Sequence, residues 1–152
     1  MSMNIEYRPM TPDDYQPVIE LWRATPGVDV TAADSKTGIT AFLERNPDLS
    51  LVAIHEDKLV AALLCGHDGR RGFMHHLVVV PAYRRMGIAR ELVDRAMLEL
   101  DRMGLEKCHL FIRRDNLAGL AFWKATGWTE RVTLTMASRM MDAYAVSTAQ
   151  KD

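Results

Sequence analysis

The chain has 152 residues, of which 48% are apolar and 26% charged, and a formal net charge of −1. This length builds one domain with its own core, and the charge balance lacks the basic footprint that nucleic-acid binding requires. Two cysteines, Cys65 and Cys108, cannot form a disulfide framework and fit a reducing cytoplasm. No apolar run reaches the ~18 residues of a membrane span, and the polar N-terminus is not a signal peptide.

In chain order, Asn4 to Arg8 reads as a strand. Thr11 then suits an N-cap, Pro12 the first helical position, and Asp13 and Asp14 the first turn. Tyr15, Val18, Ile19 and Trp22 make an apolar stripe, with Pro17 expected to cost one hydrogen bond and to kink the helix. Thr25-Pro26-Gly27 ends that helix, 28–35 is a loop, and a second helix spans Lys36 to Arg45. Leu51 to His55 and Leu59 to Cys65 are strands around a short turn at Glu56-Asp57-Lys58. Asp68-Gly69 signals a second hairpin, leading into a strand from Phe73 to Val80. Ile88, Leu92, Val93, Ala96, Met97 and Leu100 share one face of the next helix, and Gly104 caps it. A strand from Lys107 to Arg113, a helix after Asn116 closed by Gly127, and a last alternating strand from Thr133 to Arg139 complete the order. The expectation is an α/β fold, β-α-α-β-β-β-α-β-α-β, in one domain over 1–142 with a frayed tail over 143–152. Tight hairpins make the middle strands antiparallel. The helical crossover makes the strands on either side of it parallel, so the sheet is mixed.

The segment Val79-Val80-Pro81-Ala82-Tyr83-Arg84-Arg85-Met86-Gly87-Ile88-Ala89 joins a strand to a helix start. Helix N-termini present unpaired N–H groups and positive potential. Gly87 and Ala89 let a phosphate approach the main chain, and Arg84, Arg85 and Arg90 charge the rim. The turn lacks the Lys-Ser/Thr of a Walker A loop and the three glycines of a dinucleotide fingerprint. It reads as a pyrophosphate cradle or as a basic helix start with no ligand.

Arg84 to Ala89 resembles the Q/R-x-x-G-x-G/A signature of the GNAT superfamily of N-acetyltransferases, and it follows a V-x-P strand end as in that family. Asn116 to Trp128 resembles the family's N-x-x-A-x-x-x-Y-x-x-x-G-F helix, and the opening strand followed by Thr11-Pro12-Asp13-Asp14 is also similar. The resemblance covers about residues 3–141. It implies an acyl-CoA N-acyltransferase fold whose sheet splays at the cofactor site, with acetyl-CoA as co-substrate. Main-chain groups of Leu77, Val78 and Val79 would then take the pantetheine arm, and residues Arg85, Met86, Gly87, Ile88, Ala89 and Arg90 the pyrophosphate. Arg84 would contact phosphate or solvate the rim. Asn116 would meet the cofactor arm, cap a helix, or both.

Two departures bear on catalysis. Trp123 stands where the family often has Tyr, and an indole N–H is no acid near neutral pH. It packs, contacts cofactor, or donates a hydrogen bond to the sulfur. A thiol leaving group of pKa ~8.5 and positioning alone lessen the need for an acid. Phe111 stands where some relatives carry a Glu base. His75 and His76 are the base candidates. Strand alternation points at most one of them into an acceptor cleft, and both also read as ordinary strand histidines. Asp29 and Asp34 are solvated loop acids or attract a cationic acceptor. Cys65-Gly66-His67 and Cys108-His109 match no zinc template, so no metal is expected.

The implied reaction is direct acetyl transfer to an amine, small molecule or protein, with a main-chain N–H of Leu77–Val79 holding the oxyanion. Neither a nucleic-acid nor a membrane partner is expected. The family allows a homodimer through the last strand. A non-catalytic acyl-CoA-binding module and an interaction domain with an incidental turn are the rival readings.

Overall fold

The computed structural model describes residues 3–144. They group into two compact units, divided between Leu117 and Ala118. The first contains β1 (Glu6–Pro9), α1 (Tyr15–Arg23), α2 (Lys36–Arg45), β2 (Leu51–His55), β3 (Lys58–His67), β4 (Gly72–Val79), α3 (Ile88–Arg102) and β5 (Cys108–Leu110). The five strands lie in sequence order in one sheet. Three neighbouring pairs are antiparallel and β4–β5 is parallel, giving the expected mixed sheet. The expected bounds of α2 and β2 coincide with those observed.

A short 3₁₀ turn, Pro12–Asp14, precedes α1. The Asp14 carboxylate there accepts the Thr11 N–H at 2.8 Å and two Arg8 guanidinium bonds at 2.8 Å each. This joins β1 to the start of α1 by a bidentate, charge-assisted pair. Pro17 does not break α1. It lies in the first turn, where an N–H has no intrahelical partner to lose, so the expected defect does not arise.

Val18, Ile19 and Trp22 of α1 and Ile39 and Leu43 of α2 pack on Val52, Ala62, Leu64 and Val78 of the sheet. Ile88, Leu92, Val93, Ala96 and Leu100 of α3 are buried as well, and α3 packs on β2, β3 and β4. Val60 to Gly66 are consequently buried without alternation, the signature of a strand covered on both faces. Glu56 and Asp57 both have positive φ, 49° and 64°, and make the two-residue turn between His55 and Lys58. In the second hairpin the Asp68 carboxylate accepts the amides of Arg70 and Arg71 at 2.8 Å.

In the second unit, α4 begins at the boundary (Leu117–Ala125). Gly127, at φ +99°, and the Trp128 N–H to Trp123 carbonyl bond at 3.0 Å close it, as the sequence predicts. The expected strand from Thr133 to Arg139 is absent. A turn with Leu134 N–H on the Arg131 carbonyl opens the segment, and no ladder forms. Val132, Leu134 and Met136 are 81%, 60% and 65% exposed. Alternation sorts side chains onto two faces, but a strand also needs a partner for its N–H and C=O groups. A 3₁₀ turn, Asp142–Tyr144, follows. From residue 145 the expected frayed tail lies outside the described residues. Among those described, no helix is long and apolar enough to cross a membrane.

Candidate active site

The site is organised by β4. On one edge β5 pairs only with Gly72, Phe73 and Met74. From His75 to Val79 no strand of the described residues lies on that edge, while β3 continues on the other. An antiparallel neighbour satisfies only the backbone groups that point towards it, so the open edge presents free N–H and C=O groups. This is the splay that the family resemblance leads one to expect.

The open half also carries a β-bulge. Leu64 faces His75 and Ala62 faces Val78, so Leu63 alone spans His76 and Leu77. His76 takes φ +51°, a left-handed conformation costing a non-glycine residue ~1–2 kcal/mol. The bulge overturns the alternation expected of the two histidines, because both rings face the α1–α2 layer. His75 meets the Phe42 ring edge-on at 6.3 Å. His76 lies 4.8 Å from the buried Trp22 ring, and its Nε2 is 3.2 Å from each carboxylate oxygen of Asp34.

Asp34 is therefore not a solvated loop acid. It is 6% exposed, ends the 3₁₀ turn Ala32–Asp34, and accepts the Thr31 N–H at 3.0 Å. Burial raises its carboxyl pKa. The hydrogen bonds from His76 and Thr31, with the charges of His76 and His75 adding to them, outweigh burial and hold it below the usual carboxylate range. Burial, aided by His76, pushes His75 below the ordinary imidazole range, against the opposing pull of Asp34. Asp29 stays exposed and pairs with Arg113 at 3.5 Å.

Beyond β4, the 3₁₀ turn Pro81–Tyr83 leads to the basic loop. Tyr83 Oη lies 2.7 Å from His55 Nδ1, which ties the turn to the end of β2. Arg84 Nε donates to the Val79 carbonyl at 3.2 Å. Arg85 and Gly87 have φ +63° and +80°, and α3 starts at Ile88. The first helical bond is Glu91 N–H to Gly87 carbonyl at 3.0 Å. Among the described residues the amides of Arg85 to Arg90 have no backbone acceptor. A Cβ at Gly87 would meet no protein atom within 4 Å. Free amides, open space beside a glycine and the exposed Arg84, Arg85 and Arg90 fit a pyrophosphate.

In the second unit Trp123 is half-buried, with its ring 5.0 Å from Phe122 and 5.1 Å from Trp128. Asn116, in the first unit, immediately precedes α4 and donates its N–H to the Arg113 carbonyl at 3.0 Å. Phe111 falls one residue past β5, not inside the longer strand expected over 107–113, and is 60% exposed. Burial pushes the Cys65 and Cys108 thiols up to about 12 and about 11, so neither is a thiolate nucleophile near neutrality. No three His, Cys, Asp or Glu side chains of the described residues converge as a metal site.

Residues 15–128 match the acetyltransferase (GNAT) family. An acetyltransferase of Pectobacterium atrosepticum is 31% identical over 140 residues, covering 91% of this chain and 97% of that protein. Among solved structures, the PaiA N-acetyltransferase of Thermoplasma acidophilum in complex with coenzyme A superimposes with TM-score 0.75 at 21% identity, over 84% of this chain and 91% of that one. The aminoglycoside antibiotic 6′-N-acetyltransferase of Acinetobacter baumannii has TM-score 0.73 at 18% identity, over 91% and 99%. The family uses acetyl-CoA. The splayed mixed sheet, the basic turn at Gly87 and these matches together make the chain a member of the GNAT acetyltransferase family.

Proposed function

We propose that the protein transfers the acetyl group of acetyl-CoA directly to a primary amine, with residues 1–142 acting as one catalytic domain in the cytoplasm. The observation that carries this reading is the open edge of β4 over His75 to Val79, with the bulge at His76 in it and the Gly87 turn following it in the chain. Main-chain groups of Leu77, Val78 and Val79 take the amide-bearing pantetheine arm as a sheet takes an added strand. The amides of Arg85 to Arg90 and the rim arginines take the pyrophosphate. Asn116 meets the arm. The thioester supplies an activated acyl carbon. A fixed main-chain N–H in the Leu77–Val79 stretch donates to the oxygen that gains charge. No covalent enzyme intermediate is invoked, since both thiols are held protonated.

Small amine-bearing molecules are the first acceptors to screen. A fold neighbour is an aminoglycoside 6′-N-acetyltransferase, and at 18% identity that neighbour is a guide to screening only.

The test is calorimetric titration with acetyl-CoA of the wild type and a Gly87→Glu variant, which adds a carboxylate to the cradle. Thiol release is then followed with spermidine, kanamycin, lysine and a short peptide with a free N-terminus. Binding lost in the variant, with turnover of at least one amine, is the expected result. A second reading, a non-catalytic acyl-CoA-binding module, is favoured by Trp123, whose ring packs between aromatic neighbours where relatives carry an acid. It predicts binding with no turnover of any amine. No binding by folded wild type overturns both readings.

A further inference from the structure

We propose that His76 is the proton acceptor of the transfer reaction and that Asp34 is the positioning residue that fixes its tautomer, an assignment that rests on the amine-acetyltransferase reading above. Asp34 is buried, and its two carboxylate oxygens are equidistant, at 3.2 Å, from His76 Nε2. An ionised carboxylate only accepts, so in the neutral ring Nε2 carries the hydrogen and Nδ1 the lone pair. Among the described residues Nδ1 has no protein partner. Among the described residues Trp22 Nε1 is the only buried side-chain nitrogen or oxygen without one, so Nδ1 is open to solvent. The imidazole is thus held by one nitrogen and exposed at the other.

Placement singles out His76 over its neighbour. His76 occupies the bulge within the open half, one residue before Leu77. Side-chain acceptor and main-chain donors thereby come from consecutive residues of one strand. His75 sits opposite Leu64, its ring on Phe42, and among the described residues it has no hydrogen bond to a carboxylate. Asp34 lies 42 residues before His76 in sequence and is fixed independently by Thr31. The pair therefore ties the loop between α1 and α2 to the reacting strand.

The proton balance is complete without another reactant. An ammonium R–NH3⁺ gives one proton to His76 Nδ1, and the freed lone pair forms the C–N bond at the thioester carbon. The C–S bond breaks with its electron pair on sulfur. A second amine proton ends on that sulfur as thiol, and the imidazolium returns its proton to water. One ammonium and one thioester yield one amide, one thiol and one H⁺.

The test uses the full chain and the amine from the panel above that wild type acetylates fastest. His76→Asn keeps a residue that tolerates positive φ but cannot take the proton. It should lower kcat about a hundredfold, with the acetyl-CoA Kd unchanged within about twofold. His75→Gln should change kcat less than about threefold. Nitrogen NMR of 15N-histidine-labelled protein, with His76 assigned from the His76→Asn spectrum, should show the Nε2–H tautomer in wild type. In Asp34→Asn, which keeps an acceptor oxygen, the other tautomer should become populated and kcat should fall in step. A purely structural Asp34 would alter thermal stability without moving the tautomer or splitting kcat from KM. His76→Asn retaining wild-type kcat, or an Nδ1–H tautomer in wild type, overturns the proposal and leaves the acetyltransferase reading standing. Wild type that binds acetyl-CoA but acetylates no amine overturns that reading and this proposal with it.

Discussion

The two halves of β4 share one strand and one neighbour, β3, yet they do opposite things. Gly72 to Met74 are paired on both sides, by β3 and by β5. His75 to Val79 keep only β3, and the bulge at His76 and Leu77 interrupts even that register. The first half spends its backbone hydrogen bonds inside the protein and contributes stability. The second leaves them for a ligand and tolerates a strained residue. Function here is located by where a ladder stops.

Two glycines mark the contrast, and substituting them tests it. A Cβ at Gly72 would lie 2.6 Å from Leu100 Cδ1 and 3.2 Å from Cys108 Sγ. Gly72→Val should therefore overpack the closed half and cost ~1–3 kcal/mol. Its urea midpoint should drop, while acetyl-CoA affinity of the folded protein stays within about twofold. A midpoint equal to wild type would mean that α3 and β5 yield more readily than a packed core does. Gly87 is the opposite case, with open space for a Cβ but φ +80°. Gly87→Ala should cost ~1 kcal/mol through conformation alone and should weaken acetyl-CoA binding, since the methyl enters the space beside the free amides. Unchanged affinity would move the pyrophosphate away from this turn.

Acid should act in two windows. His75 in the folded chain sits below the ordinary imidazole range, so as pH falls below ~6.5 the unfolded chain takes that proton first and stability declines. Asp34 and Asp14 are held below the usual carboxylate range despite burial, Asp34 by His76 and Thr31, Asp14 by Arg8 and Thr11. Their contribution is present above ~4 and is lost as pH falls through the folded values. Urea midpoints at pH 7.5, 5.5 and 3 should fall stepwise. His75→Gln should flatten the upper step and Asp14→Asn the lower. A midpoint rising towards acid in wild type would contradict both signs.

The legibility of these features follows their range in sequence. The Gly87 turn, the hairpins and α2 are local. Each is written in a few adjacent residues, such as an arginine-flanked glycine or an Asp-Gly pair; Ser35, which reads as loop, proves to cap α2, its side chain accepting the Gly38 N–H at 3.0 Å. The bulge left no such mark, because histidine is not a residue whose presence announces positive φ. The Asp34–His76 pair, like the 2.7 Å contact of Tyr83 with His55, exists only once the sheet brings distant segments together. The misread strand over 133–139 failed for the complementary reason. Its alternating pattern was legible, but the missing ladder partner was not a property of the segment.

The smallest expected effect concerns whether the open half of β4 carries the chemistry unaided. If it does, Trp123 is a packing residue, as its ring contacts with Phe122 and Trp128 suit it to be. Trp123→Tyr would then restore the family's hydroxyl without a job to do, because a thiol of pKa ~8.5 departs near neutrality with little help from an acid. Steady-state kinetics should show kcat within about threefold of wild type, with any larger loss traceable to the volume removed from the aromatic cluster and visible as a lower midpoint. A rise in kcat of tenfold or more at unchanged stability would have a different meaning. It corresponds to ~1.4 kcal/mol of barrier supplied by one phenolic proton, and leaving-group protonation would then be the step that this chain performs poorly. In that case the strand's open half would be a binding and orienting surface, and the transfer would be limited by the missing phenolic proton.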